Sequence, residues 1–281
     1  MHPFLVAMFI RKPWYNKLNL SNNVCYDSQL KLNLVSSNPF RYPDETRVYD
    51  TLSRYYDVPP TNIAVGFGLS ELIHRILRLF KDKKISVVTP TWLMATGYCE
   101  VEGINYVEGV DFSADVLYVA SPNGQSGCKD FDPDWLDKFE YIILDEAYGD
   151  FSDESWLNNR PNNVILCKSM SKSLALPGIR FGWCFAEEDI IFQLQQTRPS
   201  PPISTVVEEH LETLLGFLPD HIDRMLETRD HIESRYECHK SYGNFVLLKN
   251  KESFLDKVLY RTFGGVHRMS LTDLSTFKKL L

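Results

Sequence analysis

Two cations stand in a setting where long cations are rare. In CKSMSKSLALPGIRFGW, Cys167 to Trp183, Lys172 and Arg180 lie among small and apolar residues, and no Asp or Glu occurs between Asn159 and Ala186. A desolvated lysine near another cation has a depressed pKa and becomes a nucleophile toward carbonyls. An arginine nearby is a natural phosphate clamp. Asp145 closes the apolar run Tyr141–Leu144. It reads either as a solvated strand end or helix cap, or as a carboxylate at the mouth of a buried strand. In Gly66-Phe67-Gly68-Leu69-Ser70-Glu71, glycines sit at a strand-to-helix turn. Backbone N–H groups there face an anion, and the helix dipole favours it. The dinucleotide fingerprint G-x-G-x-x-G fails at Leu72, and no G-x-x-x-x-G-K-[ST] loop accompanies the acid-ended strand, which excludes a P-loop ATPase. A phosphate-bearing aldehyde would use all the remaining parts. Lys172 would form an imine with it, and Gly68, Leu69, Ser169 and Arg180 would hold its phosphate. Asp145 would keep a pyridine nitrogen protonated, making the ring an electron sink.

Such parts need a scaffold. Short β-rich runs at Lys84–Pro90, Asp115–Pro122, Tyr141–Tyr148 and Asn163–Ser169 end in polar or turn residues, with segments between them long enough for crossovers. Residues 44–57 carry Val48, Leu52 and Tyr55/Tyr56 at helical spacing behind acids that suit the helix dipole. This rhythm predicts an α/β fold, a mostly parallel sheet wrapped by helices, with the binding crevice at the carboxyl ends of the strands. The pattern changes after the proline-rich Thr197–Ser204. A helical stretch over 203–237, a strand at Gly243–Lys249, a helix near 251–260, a strand at Val266–Leu271 and a last helix predict a smaller α+β domain. The expected division is 1–43, an N-terminal arm with part of the small domain; 44–198, the large domain; and 199–281, the small domain.

The 281 residues, 44% hydrophobic and 24% charged, suit one or two globular domains with a substantial core. A net charge of −7 argues against a general nucleic-acid binder. No apolar run approaches a membrane span. The opening MHPFLVAMFIRKPW lacks a basic region before its greasy patch and a small-residue cleavage site, so no signal peptide is expected. Six scattered cysteines without C-x-x-C pairs read as reduced thiols of a cytoplasmic protein, not as a zinc site.

The residues also carry a family likeness. Ser169-Met170-Ser171-Lys172 followed by Gly178-Ile179-Arg180-Phe181-Gly182 matches S/T-x-S-K…G-x-R-x-G, and Asp145 to Tyr148 reads DEAY. Pro90-Thr91-Trp92, Asn38-Pro39-Phe40 and Tyr42-Pro43-Asp44 fall in order around them. The chain resembles the fold-type I pyridoxal-phosphate aminotransferases of class I/II. Within them it is most similar to the histidinol-phosphate aminotransferase branch, which includes threonine-phosphate decarboxylases. The likeness spans about residues 30–185 and 261–272. It implies pyridoxal 5′-phosphate as cofactor, with Lys172 as its lysine in preference to Lys168, which is expected to end its strand in solvent. It implies Asp145 at the ring nitrogen, Tyr148 at the phenolic oxygen and Trp92 against the ring face. By the same likeness Asn38, Arg268 and Arg261 serve the substrate, and Tyr42 reaches the cofactor phosphate of the other subunit of a homodimer.

There are two departures from the family pattern. N-P-N-N-P-T-G stands here as Ser121-Pro122-Asn123-Gly124-Gln125-Ser126-Gly127, so the asparagine expected at the phenolic oxygen is Gly124; Asn123 is the candidate substitute. The N-terminus and small domain are also shorter than in typical members. The likeness implies an enzyme of amino-acid biosynthesis that moves an amino group between an amino acid or amino-alcohol phosphate and a 2-oxo acid. A decarboxylating lyase and a non-catalytic cofactor-binding paralogue are the alternatives.

Overall fold

A computed structural model describes residues 17–153 and 155–281. The opening stretch judged above for a signal peptide, and with it the start of the 1–43 segment, lies outside the described residues.

The arm begins with β1 (Leu18–Asn19), which pairs in parallel with a strand near the other end of the chain. Helix α1 (Glu45–Tyr56) starts where Asp44 accepts from the Thr46 amide at 3.1 Å. It buries Val48, Thr51 and Leu52 and stops at Asp57, which turns left-handed with φ 54°. Then follow β2 (Ile63–Phe67), α2 (Leu69–Leu79), β3 (Ile85–Val87), α3 (Met94–Glu102), β4 (Tyr106–Glu108), β5 (Val116–Ala120), β6 (Tyr141–Asp145), β7 (Val164–Ser169), α4 (Met170–Ser173), β8 (Phe181–Phe185) and α5 (Glu188–Gln196). The strands form one seven-stranded sheet in the order β2-β8-β7-β6-β5-β3-β4, in which only β8 runs against its neighbours. Every residue of β5, β7 and β8 is buried. That is the signature of a sheet covered on both faces, and it explains the near-continuous apolar runs in the sequence.

Helix α6 (Thr205–Glu233) is capped by Ser204, whose side chain accepts from the Val207 amide at 3.3 Å, and runs on through Pro219. It buries Leu211, Leu214, Leu218 and Met225. Strands β9 (Cys238–His239), β10 (Phe245–Leu248), β11 (Val258–Leu259), β12 (Arg261–Phe263) and β13 (Val266–Ser270) follow, and α7 (Leu274–Lys278) closes the chain. A second sheet, antiparallel, has the order β12-β13-β10-β9, and β11 takes β1 as its partner. The helix expected near 251–260 is instead a short 3₁₀ turn, Ser253–Lys257, running into β11 and β12. Backbone pairing with the arm and with β13 outweighs a local helical pattern too short to hold by itself. Among the described residues no helix is long and apolar enough to cross a membrane.

Candidate active site

The sheet brings distant residues to one edge. Asp145 ends β6; Ser169 ends β7 and caps α4, its Oγ accepting from the Ser171 amide at 3.2 Å. Lys172 stands on α4, and Arg180 precedes β8 with a left-handed φ of 53°. Together with the start of α2, the arm and β12–β13 they line a cavity of about 420 Å³. Trp92 and Tyr148 line it as well.

Asp145 is 6% exposed. Its two oxygens accept from the Ala147 amide and the Tyr118 hydroxyl, each at 2.9 Å. Burial raises its pKa, while those two bonds and the charge of Lys172 pull it back toward the carboxylate. Lys172 Nζ donates to the carbonyls of Asn22 and Asn23 at 3.2 and 3.1 Å, so the arm holds it in place. Tyr148 is pushed up to about 12 by burial, with a hydrogen bond from Asn23 and the charge of Arg268 working against the rise. It is a neutral donor at physiological pH.

Arg261 and Arg268 face one another across the antiparallel pair β12–β13. Like charges in directly opposed positions destabilise a sheet. Arg268, 8% exposed, donates to the Gly124 carbonyl at 2.6 Å and lies over the rings of Phe245 and Phe263 at 5.5 and 5.1 Å. Burial lowers it to about 10, which still leaves it cationic at neutral pH. Arg261 is more exposed and donates to the Ser21 carbonyl at 2.9 Å. Two guanidinium groups held together at one wall make a receptor for an anion.

These residues fit the phosphate-bearing pyridine aldehyde. The cap position of α2 is Gly68, which has no side chain to accept from the first amides of the helix, so they are available to an anion. Gly68 has φ 81°, and a Cβ there would run into the Arg180 guanidinium. Glycine thus lets the cation come up beside the helix start. The hydroxyl-bearing Ser169 and Ser171 are at the same wall. Lysine, indole and buried carboxylate complete the donor set for the ring.

Of the residues singled out in the sequence, Leu69, Trp92, Asp145, Tyr148, Ser169, Lys172, Arg180, Arg261 and Arg268 line this one cavity, and Gly68 stands directly behind Arg180. Asn38 is exposed, its Oδ1 accepting from the Phe40 amide at 3.1 Å, and lies outside the cavity. Tyr42 is 82% exposed and also outside it. Asn123 requires a correction. It is 1% exposed and committed elsewhere, donating to the Pro90 carbonyl at 2.6 Å and to Asp130 at 2.8 Å while accepting from the Gln125 amide. It braces its own loop and does not line the cavity. Lys168 is the second correction. Far from ending in solvent, it is 2% exposed and lies between Asp150 and Glu146 at 2.9 and 3.5 Å.

The sequence reading missed Asn23. Its Nδ2 donates to the Tyr148 hydroxyl at 2.9 Å and to the Gly124 carbonyl at 2.8 Å. It also missed Tyr118 beneath Asp145 and Phe263 against Arg268. Asn23 belongs to no motif and is separated from Tyr148 by 125 positions, so no local signal marks it.

Residues 113–240 match the family model described as aminotransferase class I and II. The histidinol-phosphate aminotransferase of Pyrococcus furiosus is 30% identical over 237 residues, covering 74% of this chain and 70% of the relative. Among solved structures, the histidinol-phosphate aminotransferase from Clostridium acetobutylicum superposes with a TM-score of 0.79 at 18% identity, covering 94% of this chain and 97% of that one. The Sinorhizobium meliloti histidinol-phosphate aminotransferase, solved in complex with pyridoxal-5′-phosphate, also gives 0.79, at 16% identity, covering 100% of this chain and 95% of that one.

Proposed function

Because the chain belongs to the class I and II aminotransferases, on their histidinol-phosphate aminotransferase branch, we propose that its cavity moves an amino group between an amine bearing a phosphate or carboxylate and a 2-oxo acid. Pyridoxal 5′-phosphate is the cofactor. When bound, it supplies an aldehyde that takes up the amino group and a ring that receives the electron pair left on the substrate carbon.

The chain's own residues do the rest. The first amides of α2, Ser169, Ser171 and Arg180 would hold the phosphate, and Trp92 would cover a ring face. Asp145, raised by burial and drawn back toward the carboxylate by the Ala147 amide, Tyr118 and Lys172, would hold a proton on the ring nitrogen. Lys172 Nζ would take the proton from the substrate Cα and carry it within the cavity, a positioned acid–base role. Tyr148 would donate its hydroxyl proton toward the phenolic oxygen. Arg268, assisted by Arg261, orients the far anion of the substrate, so that the Cα–H bond presents itself to Lys172.

The reading rests above all on Lys172 and Asp145 meeting in one cavity, with Lys168 committed to an ion pair beyond it. Borohydride treatment of cofactor-loaded protein is expected to fix the cofactor on the peptide containing Lys172. Lys172→Ala should abolish that label and lower turnover by about a thousandfold or more. With histidinol phosphate and 2-oxoglutarate, the wild type is expected to yield glutamate; carbon dioxide release from an amino-acid phosphate with no oxo-acid demand would overturn transamination in favour of a lyase.

The proposal includes a homodimer in which Tyr42 reaches the partner's cavity, supported by the 96% and 82% exposure of Phe40 and Tyr42 on the arm. It also includes a reducing, cytoplasmic setting, supported by six cysteines that stand as free thiols.

A further inference from the structure

Gly124 has no side chain, and the space beside it is filled from elsewhere. A Cβ at Gly124 would come within 2.7–2.9 Å of the Tyr148 ring and hydroxyl. The Tyr148 hydroxyl instead receives its hydrogen bond from the arm, from Asn23 Nδ2 at 2.9 Å. We propose that Asn23 is a positioning residue for Tyr148, setting the direction and the acidity of its hydroxyl proton. This rests on the function proposed above.

Several observations carry it. Asn23 is 4% exposed, and both hydrogens of its amide are committed, one to Tyr148 and one to the Gly124 carbonyl at 2.8 Å. Because the phenol oxygen accepts from Asn23, its own hydrogen is left to point into the cavity that Tyr148 lines. The Gly124 carbonyl also accepts from Arg268 at 2.6 Å, and the Asn23 carbonyl accepts from Lys172 at 3.1 Å and from Asn244 at 3.0 Å. One arm residue therefore joins the phenol, the lysine and the anion-binding arginine. Asn23 has φ 51°, a left-handed conformation that asparagine tolerates better than most side chains. Its Oδ1 is buried without a partner, so the amide is placed here for its donors.

An N–H donated to a phenol oxygen favours the phenolate and makes the O–H a stronger donor to whatever it faces. Removing that donor weakens the support Tyr148 gives an anionic oxygen in the cavity. The test is a pH titration of the visible absorbance of pyridoxal phosphate bound to the purified chain, with thermal unfolding followed alongside. Asn23→Ala and Asn23→Asp are each expected to raise the midpoint by about one pH unit, a tenfold change in proton affinity. Asn23→Asp keeps the size and the backbone preference and removes the donor, while adding a charge whose effect remains when Tyr148 is phenylalanine. In a Tyr148→Phe background Asn23→Ala should shift the midpoint no further, and the Asn23→Asp shift should fall to that charge contribution alone. A midpoint moved by less than about 0.2 unit in the Asp variant would overturn the assignment, since a full proton-affinity effect is one unit. So would a shift that survives unchanged in the Phe background. A wild-type chain that never takes up the cofactor would sink the function itself, and it would do so before any substitution is made.

Discussion

Lys168 and Lys172 show how much is decided at a single residue. Lys168 lies within β7, at a register position that points it to Asp150 and Glu146; Lys172, on the turn beyond, points into the cavity. Burial works to lower the pKa of Lys168, but the two carboxylates overcome it and hold the ammonium charged. Lys168→Met would leave the buried Glu146 and the half-buried Asp150 without that cation. We expect a loss of about 3–5 kcal/mol, read by thermal or urea unfolding, while borohydride labelling at Lys172 persists in the folded fraction. The two arginines divide in the same way. Arg268 is buried with a charge-assisted bond, and Arg261 is exposed. Arg268→Gln is expected to raise KM for an anionic donor about 10- to 100-fold with a smaller effect on kcat. Arg261→Gln should act in the same direction more weakly.

At the scale of elements, the arm holds the site together. It supplies Asn22 and Asn23 to Lys172, and it is tied down by Asp27. The Asp27 carboxylate accepts from Arg224 at 2.8 Å and from His221 at 2.8 Å, both on α6, and the Ser28 amide donates to Asp273 at 2.8 Å at the start of α7. Burial works to raise the Asp27 pKa, and the bonds from Arg224 and His221 outweigh it, leaving it lowered. Asp273 is lowered as well: burial opposes, but bonds from Ser275, Ser28 and Thr276 prevail. A carboxylate with a depressed folded pKa contributes its full stability above the unfolded value of about 3.9, and loses it as pH falls through the folded value. Asp27→Asn is therefore expected to cost about 2 kcal/mol at neutral pH. The gap to wild type should close in acid, as pH falls below the unfolded value and on through the lowered folded one and the wild-type carboxylate is itself protonated. Denaturant unfolding across a pH series measures both limbs.

For the whole molecule, Phe40 and Tyr42 are among the exposed large apolar side chains. Should Tyr42 complete the partner's cavity, Tyr42→Ala and Lys172→Ala would disable different halves of one shared site. Mixed and reassembled, the two inactive variants should recover about a quarter of wild-type activity, because half the dimers are mixed and each of those has one intact site. Activity that stays at the level of the separate variants, with sedimentation showing a dimer, would mean each chain builds its site alone.

The sequence alone was enough for β3, β5, β6, β7, β10 and β13, the turn at Gly68 and the lysine–arginine pair. Buried parallel strands are written as continuous apolar runs, and their polar ends are the crevice. Lys172 was visible because a lysine in an acid-free, small-residue stretch has no ordinary surface role. Tertiary structure decided what that lysine touches. The carbonyls of Asn22 and Asn23, the Tyr118 hydroxyl under Asp145 and the two acids around Lys168 come from segments far apart in the chain, brought close only by the sheet and the docked arm. Asparagine at 123 and asparagine at 23 look alike in sequence. Chain direction at the end of β5 turns the first into its own loop, and packing of the arm against α6 and β10–β13 delivers the second to Tyr148. Local patterns encode elements because backbone geometry is local; hydrogen bonds between side chains across a cavity depend on where those elements are docked.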